Sequence, residues 1–486
     1  IKIIKMEDSN LLITVFLTGL VVICIKYLTK YIVKYYTEPE QQETTEIDDK
    51  KKAGDRRGSA NESRTPQQNL IQQHLVQNLN RNMHWRPNSN KPGIYTDPWH
   101  LTSLKGHTAR IRDMDFSSNG KFLATCAEDR TVFVWSLTSL PATRSFRINV
   151  PYDHATKICW SPDNKALLVH THQESTVMVF KLDKCKKDKE SWFSGATNSL
   201  TFPKVFDSEC VGLQISSDGR HVMSCSKDGK LILFDTKGNV TQKIDDTGLG
   251  SNHCARLSPN AKFVIVCGFS PDVKVWTIGE DNEKASTKQS SQTSTDSTLR
   301  RAFELTGHSG SVCDVAFEMQ TLRVASVSRA DGWRLYDIDV KYKKGQSPIL
   351  LKKASFEKPA ESAAEEEISH VALSPDSNVI CVSLGSDLMF YETEGGTLDR
   401  CIEKVYTTGP ITGLKFDSTG KYVFCTGDKH VRVFHNVTGY KIEIRENLNK
   451  LKHNTGVSNS ATTERISKTI ETSRKFLESI GEPEWK

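Results

Sequence analysis

His107, Thr125 and Asp129 bring an imidazole, a hydroxyl and a carboxylate into one short stretch, with Trp135 just beyond. Much the same types recur at His308, Ser326 and Ala330-Asp331, ahead of Tyr336-Asp337. A third stretch offers Ser224, Asp228 and Phe234-Asp235 without the histidine. Such a set serves acid–base or nucleophilic catalysis when it faces a substrate. It serves architecture when its members hydrogen-bond one another and pin a turn. Repetition decides between the two, because catalytic residues do not come in serial copies along a chain. The reading is architectural, and no catalytic residue is assigned.

The elements that hold these residues repeat as well. After Gly106-His107, Ile111 and Phe116 mark a first strand, and Ser118-Asn119-Gly120 marks a turn. Phe122–Cys126, a tight turn at Glu128-Asp129-Arg130 and Thr131–Trp135 follow. Apolar residues alternate with others, as in strands covered mainly on one face. Asn-Gly supplies the positive φ that a tight hairpin requires. A strand-turn-strand unit ending in an aromatic recurs at Trp135, Phe180, Phe234, Trp276, Tyr336, Phe390 and Phe434. The shortest steps match a period of ~40–45 residues, and polar insertions lengthen the others. One four-stranded sheet cannot bury both faces alone, so the seven units must stack. The expectation is an all-β, seven-bladed β-propeller over 100–440. His100–Leu104 would serve as the outer strand of the last blade and close the ring.

Around this ring the chain divides by composition. Residues 1–10 are a short N-terminal segment, and Met6 reads as the native start, with Ile1–Lys5 as upstream sequence. Residues 11–33 read as a transmembrane anchor: Leu11–Ile25 is uncharged, and Lys26 and Lys30 can snorkel. Glu7 and Asp8 precede it, and no small-x-small site follows, which argues against a cleaved signal peptide. Lys26, Lys30 and Lys34 lie C-terminal to the apolar run, which places the ring in the cytosol. Cys126, Cys225, Cys267, Cys381 and Cys425 read as buried, reduced thiols, in agreement. Sequons at Asn239-Val240-Thr241 and Asn436-Val437-Thr438 are the contrary hint.

Residues 38–99 form a polar tether, disordered by composition up to Asn69. Lys50-Lys51-Lys52 with Arg56-Arg57 reads as solvated rather than as a lipid or RNA contact. Three insertions interrupt the ring: Lys181–Asp207, Gly279–Leu299 and Ile338–Glu367. They read as surface loops, any of which could hold a partner. Residues 441–486 form a helical tail with a helix over Thr462–Ile480. Its apolar stripe is Ile466, Ile470, Leu477 and Ile480, and Gly481 and Pro483 stop it. Whether that stripe docks on the ring or pairs with another chain stays open.

Motifs of chemistry are absent. The chain lacks a phosphate loop, His-Glu-x-x-His, a Cys-x-x-Cys pair and Gly-x-Ser-x-Gly. Cys254 and Cys267 read as core rather than as zinc ligands. The net charge of +6 names no partner class. No cofactor-binding or metal residue is assigned, and the protein is read as a non-enzyme. A deep channel lined with convergent ionisable groups would argue otherwise.

His107, Thr125, Asp129 and Trp135 occupy the places of the hydrogen-bonded tetrad of WD40 repeats. Asp115–Thr131, Asp153-His154-Ala155-Thr156, Cys267–Trp276, Arg301–His308 and Val431–Asn436 resemble the transducin β-like protein 2 family, a branch of WD40 proteins. The tether and first insertion do not match, so no contact of those segments is carried over. The resemblance implies a single-pass endoplasmic-reticulum membrane protein whose cytosolic propeller is an adaptor. It also implies association with an ER stress kinase and with translational control in the unfolded-protein response. Partners would then be proteins and the membrane, with no small-molecule substrate and no direct nucleic-acid binding. The alternative is an ER-anchored exchange factor for a small GTPase, with Lys181–Asp207 as the acting loop.

Overall fold

Every side chain of the strand Phe122–Ala127 is buried, and the same holds for Val222–Ser226 and Phe263–Gly268. Strands of that kind need cover on both faces, which only neighbouring sheets can give. The computed structural model supplies it. It describes residues 95–184, 192–280, 297–339, 347–356, 369–453 and 460–482. The N-terminal segment, the anchor over 11–33 and the tether up to residue 94 lie outside the described residues. Among the described ones, no helix is long and apolar enough to cross a membrane.

Seven four-stranded antiparallel sheets form the blades. Blades 1 to 6 span 111–149, 155–201, 210–244, 252–305, 312–354 and 371–402. The seventh joins 413–435 to the strand His100–Lys105, which pairs with His430–His435 from His100↔Phe434 to Lys105↔His430. Seven apolar clusters fill the seven gaps between successive blades. The cluster of Leu104, Ile111, Met114, Phe424 and Val433 joins the last blade to the first. Each sheet therefore buries both faces, and the ring leaves no sheet face open at a seam.

One turn design recurs between the first and second strands of every blade. Gly120, Asn164, Gly219, Ala261, Thr321, Ser377 and Gly420 stand there, each with φ between 57° and 72°. A side chain closes most of these turns, as where Ser117 donates to Asn119 at 2.8 Å and Ser161 to Asp163 at 2.6 Å. That is why Asn, Asp, Ser and Gly mark the spots in the sequence.

Two expected loops are strands instead. Within Lys181–Asp207 the strand Phe193–Thr201 pairs with Val177–Lys184, Phe193 is buried, and Arg144 lies 5.0 Å above the Trp192 ring. Only 185–191 lies outside the described residues, and about half of the proposed exchange-factor loop is a blade edge. Ile338–Glu367 likewise contains Ile349–Ala354, the outer strand of blade 5. In the second insertion Val273–Glu280 pairs with Ser297–Leu305, and 281–296 lies outside the described residues.

Two helices follow the ring: α1, Val437–His453, and α2, Ser460–Ser479. The sequence reading anticipated the second, two residues later at its start, and not the first. Asn436 caps α1: its side-chain oxygen accepts the Gly439 N–H at 3.0 Å, and its amide donates to the Gly420 carbonyl at 2.8 Å. Ile442 and Ile444 of α1 and Ile470 and Leu477 of α2 are buried in the cluster between blades 6 and 7. Phe476 stacks near Tyr440 at 4.5 Å and His435 at 4.9 Å, so α2 docks on α1 and on the ring. Gly481, with φ of 80°, ends it.

Candidate functional site

In blade 1 the four residues singled out form one chain of hydrogen bonds. The Trp135 indole N–H donates to Thr125 Oγ1 at 3.0 Å, and Thr125 Oγ1 lies 2.8 Å from His107 Nε2. His107 Nδ1 lies 3.1 Å from Asp129 Oδ2, which also accepts the Thr108 N–H at 2.8 Å. With the imidazole proton on Nδ1, every donor has an acceptor: Trp135 to Thr125, Thr125 to His107, His107 to Asp129. Burial works against the charge of Asp129. Hydrogen bonds from His107, Thr131 and the Thr108 N–H outweigh it and hold the carboxyl well below the usual range. Thr125 is wholly buried, so its hydroxyl cannot meet a substrate. The arrangement ties the turn at Asp129 to the loop at His107.

Blade 5 repeats this with changes. His308 Nε2 lies 2.7 Å from Ser326 Oγ, and Nδ1 lies 2.9 Å from Asp331. Asp331, not Ala330, is therefore the turn carboxylate, and Arg334 adds a contact at 3.0 Å. Tyr336 donates to the Thr306 carbonyl at 2.9 Å. Burial pushes the His308 pKa down. In blade 3, Ser224 and Asp228 are not brought together. Ser224 faces the Cys210 thiol at 3.6 Å, and Asp228 bonds Ser226 and Lys230.

Other blades hold the same turn by means that sequence reasoning missed. In blade 2, Asp153 accepts the Gln173 N–H at 2.7 Å, so the carboxylate stands on the loop side and the amide on the turn side. Thr156 Oγ1 pairs with His170 Nδ1 at 3.0 Å beneath it. In blade 7, the buried Tyr406 donates to the Cys425 carbonyl at 2.7 Å.

The inner strands carry a second set of groups, also unanticipated. Asp113 accepts the Ile158 N–H of blade 2 at 3.1 Å. Asp115 accepts the Trp160 N–H at 2.9 Å and the Lys415 ammonium of blade 7 at 2.8 Å. Asp314 of blade 5 meets Arg256 of blade 4 at 3.3 Å and His370 before blade 6 at 3.2 Å. Burial opposes the Asp314 charge, and Arg256 and His370 override it, holding the carboxyl well below the usual range. Ionisable groups therefore do line the central channel, the feature that would have argued for chemistry. Their carboxylates are committed to sewing one blade to the next. An alternating Asp-x-Asp on an inner strand was the available signal.

The WD domain, G-beta repeat family matches residues 99–136, 201–235 and 400–435. Transducin beta-like protein 2 of Homo sapiens is 37% identical over 386 residues, 78% of this chain and 80% of that protein. The chain belongs to the transducin beta-like protein 2 family. The Mus musculus relative of the same name is 36% identical over 394 residues, 80% of this chain and 83% of that protein. A more distant likeness is to target of rapamycin complex subunit LST8 of Mus musculus, 24% identical over 200 residues, 39% of this chain and 54% of that protein. As a transducin beta-like protein 2 relative, the chain adds to the repeat matches four blades that the repeat pattern does not mark. Of those, blade 2 uses Asp153 and blade 5 keeps His308, Ser326 and Asp331.

Proposed function

We propose that this member of the transducin beta-like protein 2 family is a non-catalytic adaptor whose propeller binds other proteins. The observation that carries the reading is the commitment of its reactive-looking groups. His107, Asp129, His308, Asp331, Asp113, Asp115 and Asp314 all have partners within the fold. What the ring offers outward is a rigid surface of loops, the feature that recognition uses. In this reading the apolar N-terminal segment holds the ring at the cytosolic face of the endoplasmic-reticulum membrane. Its partners are an ER stress kinase and components of translational control, as the family resemblance implies.

Proximity labelling from the C-terminus of the full chain in intact cells tests the whole reading. Labelled neighbours should be cytosolic domains of ER membrane proteins, with signalling or translation components enriched under ER stress. Labelling of lumenal proteins, or of no signalling or translation component, would refute it.

A further inference from the structure

Five of the eight large apolar side chains exposed among the described residues belong to blade 5: Met319, Leu322, Ile349, Leu350 and Leu351. They lie along one edge. Met319 and Leu322, 59% and 37% exposed, stand between its first two strands. Arg323 follows them and pairs with Asp337. Asp337 pairs in turn with Ile349, 63% exposed, which begins the outer strand Ile349–Ala354. A row of exposed aliphatic residues costs free energy in water unless something covers it.

This row stands at the end of the ring where the chain enters. His100 pairs with Phe434, and Phe434 with Val423, just after the turn at Gly420. Trp99 therefore meets the ring at the end that carries the turns between first and second strands, and Met319 and Leu322 belong to one of those turns. Residues 34–94 join that point to the apolar run over 11–33. A coil of ~60 residues spans roughly 40–45 Å, so a bilayer that holds one end is met by the other at high effective concentration. Under that condition a modest apolar patch is enough for contact.

Charge and composition choose the occupant. Arg323, Lys352 and Lys353 stand against Asp337 and Asp339, a nearly balanced set that suits zwitterionic headgroups. The exposed members are aliphatic, whereas protein interfaces centre on aromatic anchors. Lys352 and Lys353 guard the edge of the outer strand against pairing with a second copy. Their stems can lie on apolar surface while the ammonium groups stay among headgroups.

We propose that this edge of blade 5 rests in the interfacial layer of a phospholipid bilayer, with Met319, Leu322 and Ile349 among the upper acyl carbons. The inference rests on the membrane-anchored reading above and names the face of the ring that lies on lipid. The opposite end, where Tyr152 and Phe269 are exposed, stays in water.

Photolabelling of the full chain tests it, in phosphatidylcholine vesicles that carry a phospholipid with a diazirine near the carbonyl end of one acyl chain. Tryptic peptides are read by mass spectrometry. Peptide 302–323 holds Met319 and Leu322, and 345–352 holds Ile349, Leu350 and Leu351. Both should be labelled at least ~5-fold above 148–157 and 263–274, which carry Tyr152 and Phe269. Peptide 6–26 reports the anchor. The double variant Met319→Asp with Ile349→Asp, at two exposed positions, should lower the labelled fraction of both patch peptides ~3-fold or more and leave 6–26 unchanged. Label in 6–26 with none above background in the patch peptides would overturn the proposal. Equal label at the two ends of the ring, or wild-type labelling in the double variant, would overturn it too. A crosslink between Lys352 of two copies, with the patch peptides unlabelled, would assign the edge to a second copy instead. Label in the patch peptides without any in 6–26 would count against the anchor and leave the lipid-facing edge standing, and no label in any of them would sink both.

Discussion

Trp99 and Glu482, 383 residues apart, meet where the ring closes: the indole N–H donates to the carboxylate at 3.0 Å. Arg400 lies 4.8 Å over the Trp99 ring, and both Arg400 and Lys441 reach Glu482 at 3.2 Å. The closing strand starts at the next residue, His100, so the end of the C-terminal helical tail is fastened to the start of the seal. The tail is part of the ring's closure.

Trp99→Ala should therefore destabilise the protein by about 3–5 kcal/mol, the usual cost of emptying a buried aromatic site. Glu482→Gln should cost roughly 1 kcal/mol, since it keeps the acceptor and loses only the charge assistance. Urea denaturation of both variants checks the order. Equal, negligible effects would show that the tail is not part of the seal.

The tetrad of blade 1 should matter more than its remnant in blade 3. Thr125→Val leaves the Trp135 N–H and His107 Nε2 buried and unmatched, a loss of about 1–3 kcal/mol. Asp228→Asn touches only a half-exposed turn and should stay within roughly 0.5 kcal/mol. Thermal melts followed by circular dichroism separate the two, and a reversed order would contradict the architectural role given to Thr125.

Much of this was legible, and the failures have physical reasons. Strands of blade 1 announced themselves because period-two alternation and turn residues agreed, as in Phe122–Cys126 before Glu128-Asp129. The strand Phe193–Thr201 did not, because only Phe193 of its nine residues is fully buried, and an outer strand can be polar on both faces. Helix α1 was hidden by Gly439 in its first turn, and its cap, Asn436, read as part of a sequon. The histidine-bearing tetrads were visible as types at fixed places. Asp153 and Tyr406 were not, since each reaches its turn from a loop whose conformation no local pattern encodes.

Acid should weaken the fold in two stages. Burial lowers the pKa of His170 to about 4, and burial with Arg432 nearby does the same for His100. The unfolded chain, with histidines near ~6.5, binds more protons between those values. This contribution is present above about pH 6.5 and is lost as pH falls toward 4. Asp129, Asp314 and Asp331 have lowered pKa values, so their contribution is present above the ordinary carboxylate range and fades below about pH 4. Denaturation midpoints from pH 8 to 3 test this, and His170→Phe should reduce the upper stage. A midpoint independent of pH between 6.5 and 4 would contradict it.

Of the two sequons within 100–440, only one can report topology from the folded ring. Asn436 is buried and capping α1, whereas Asn239 is exposed. A chain made in cells should carry no glycan at Asn239, checked by endoglycosidase treatment and gel mobility. A shift that Asn239→Gln abolishes would place the ring in the lumen.

The most direct test of the adaptor account is quantitative recovery of partners with the full chain from detergent-solubilised ER membranes, before and during ER stress. The account predicts co-recovery of a stress-signalling kinase or translation component in proportion to the chain, increasing with stress. Recovery of lumenal proteins alone, or of no signalling or translation protein in either condition, would contradict it.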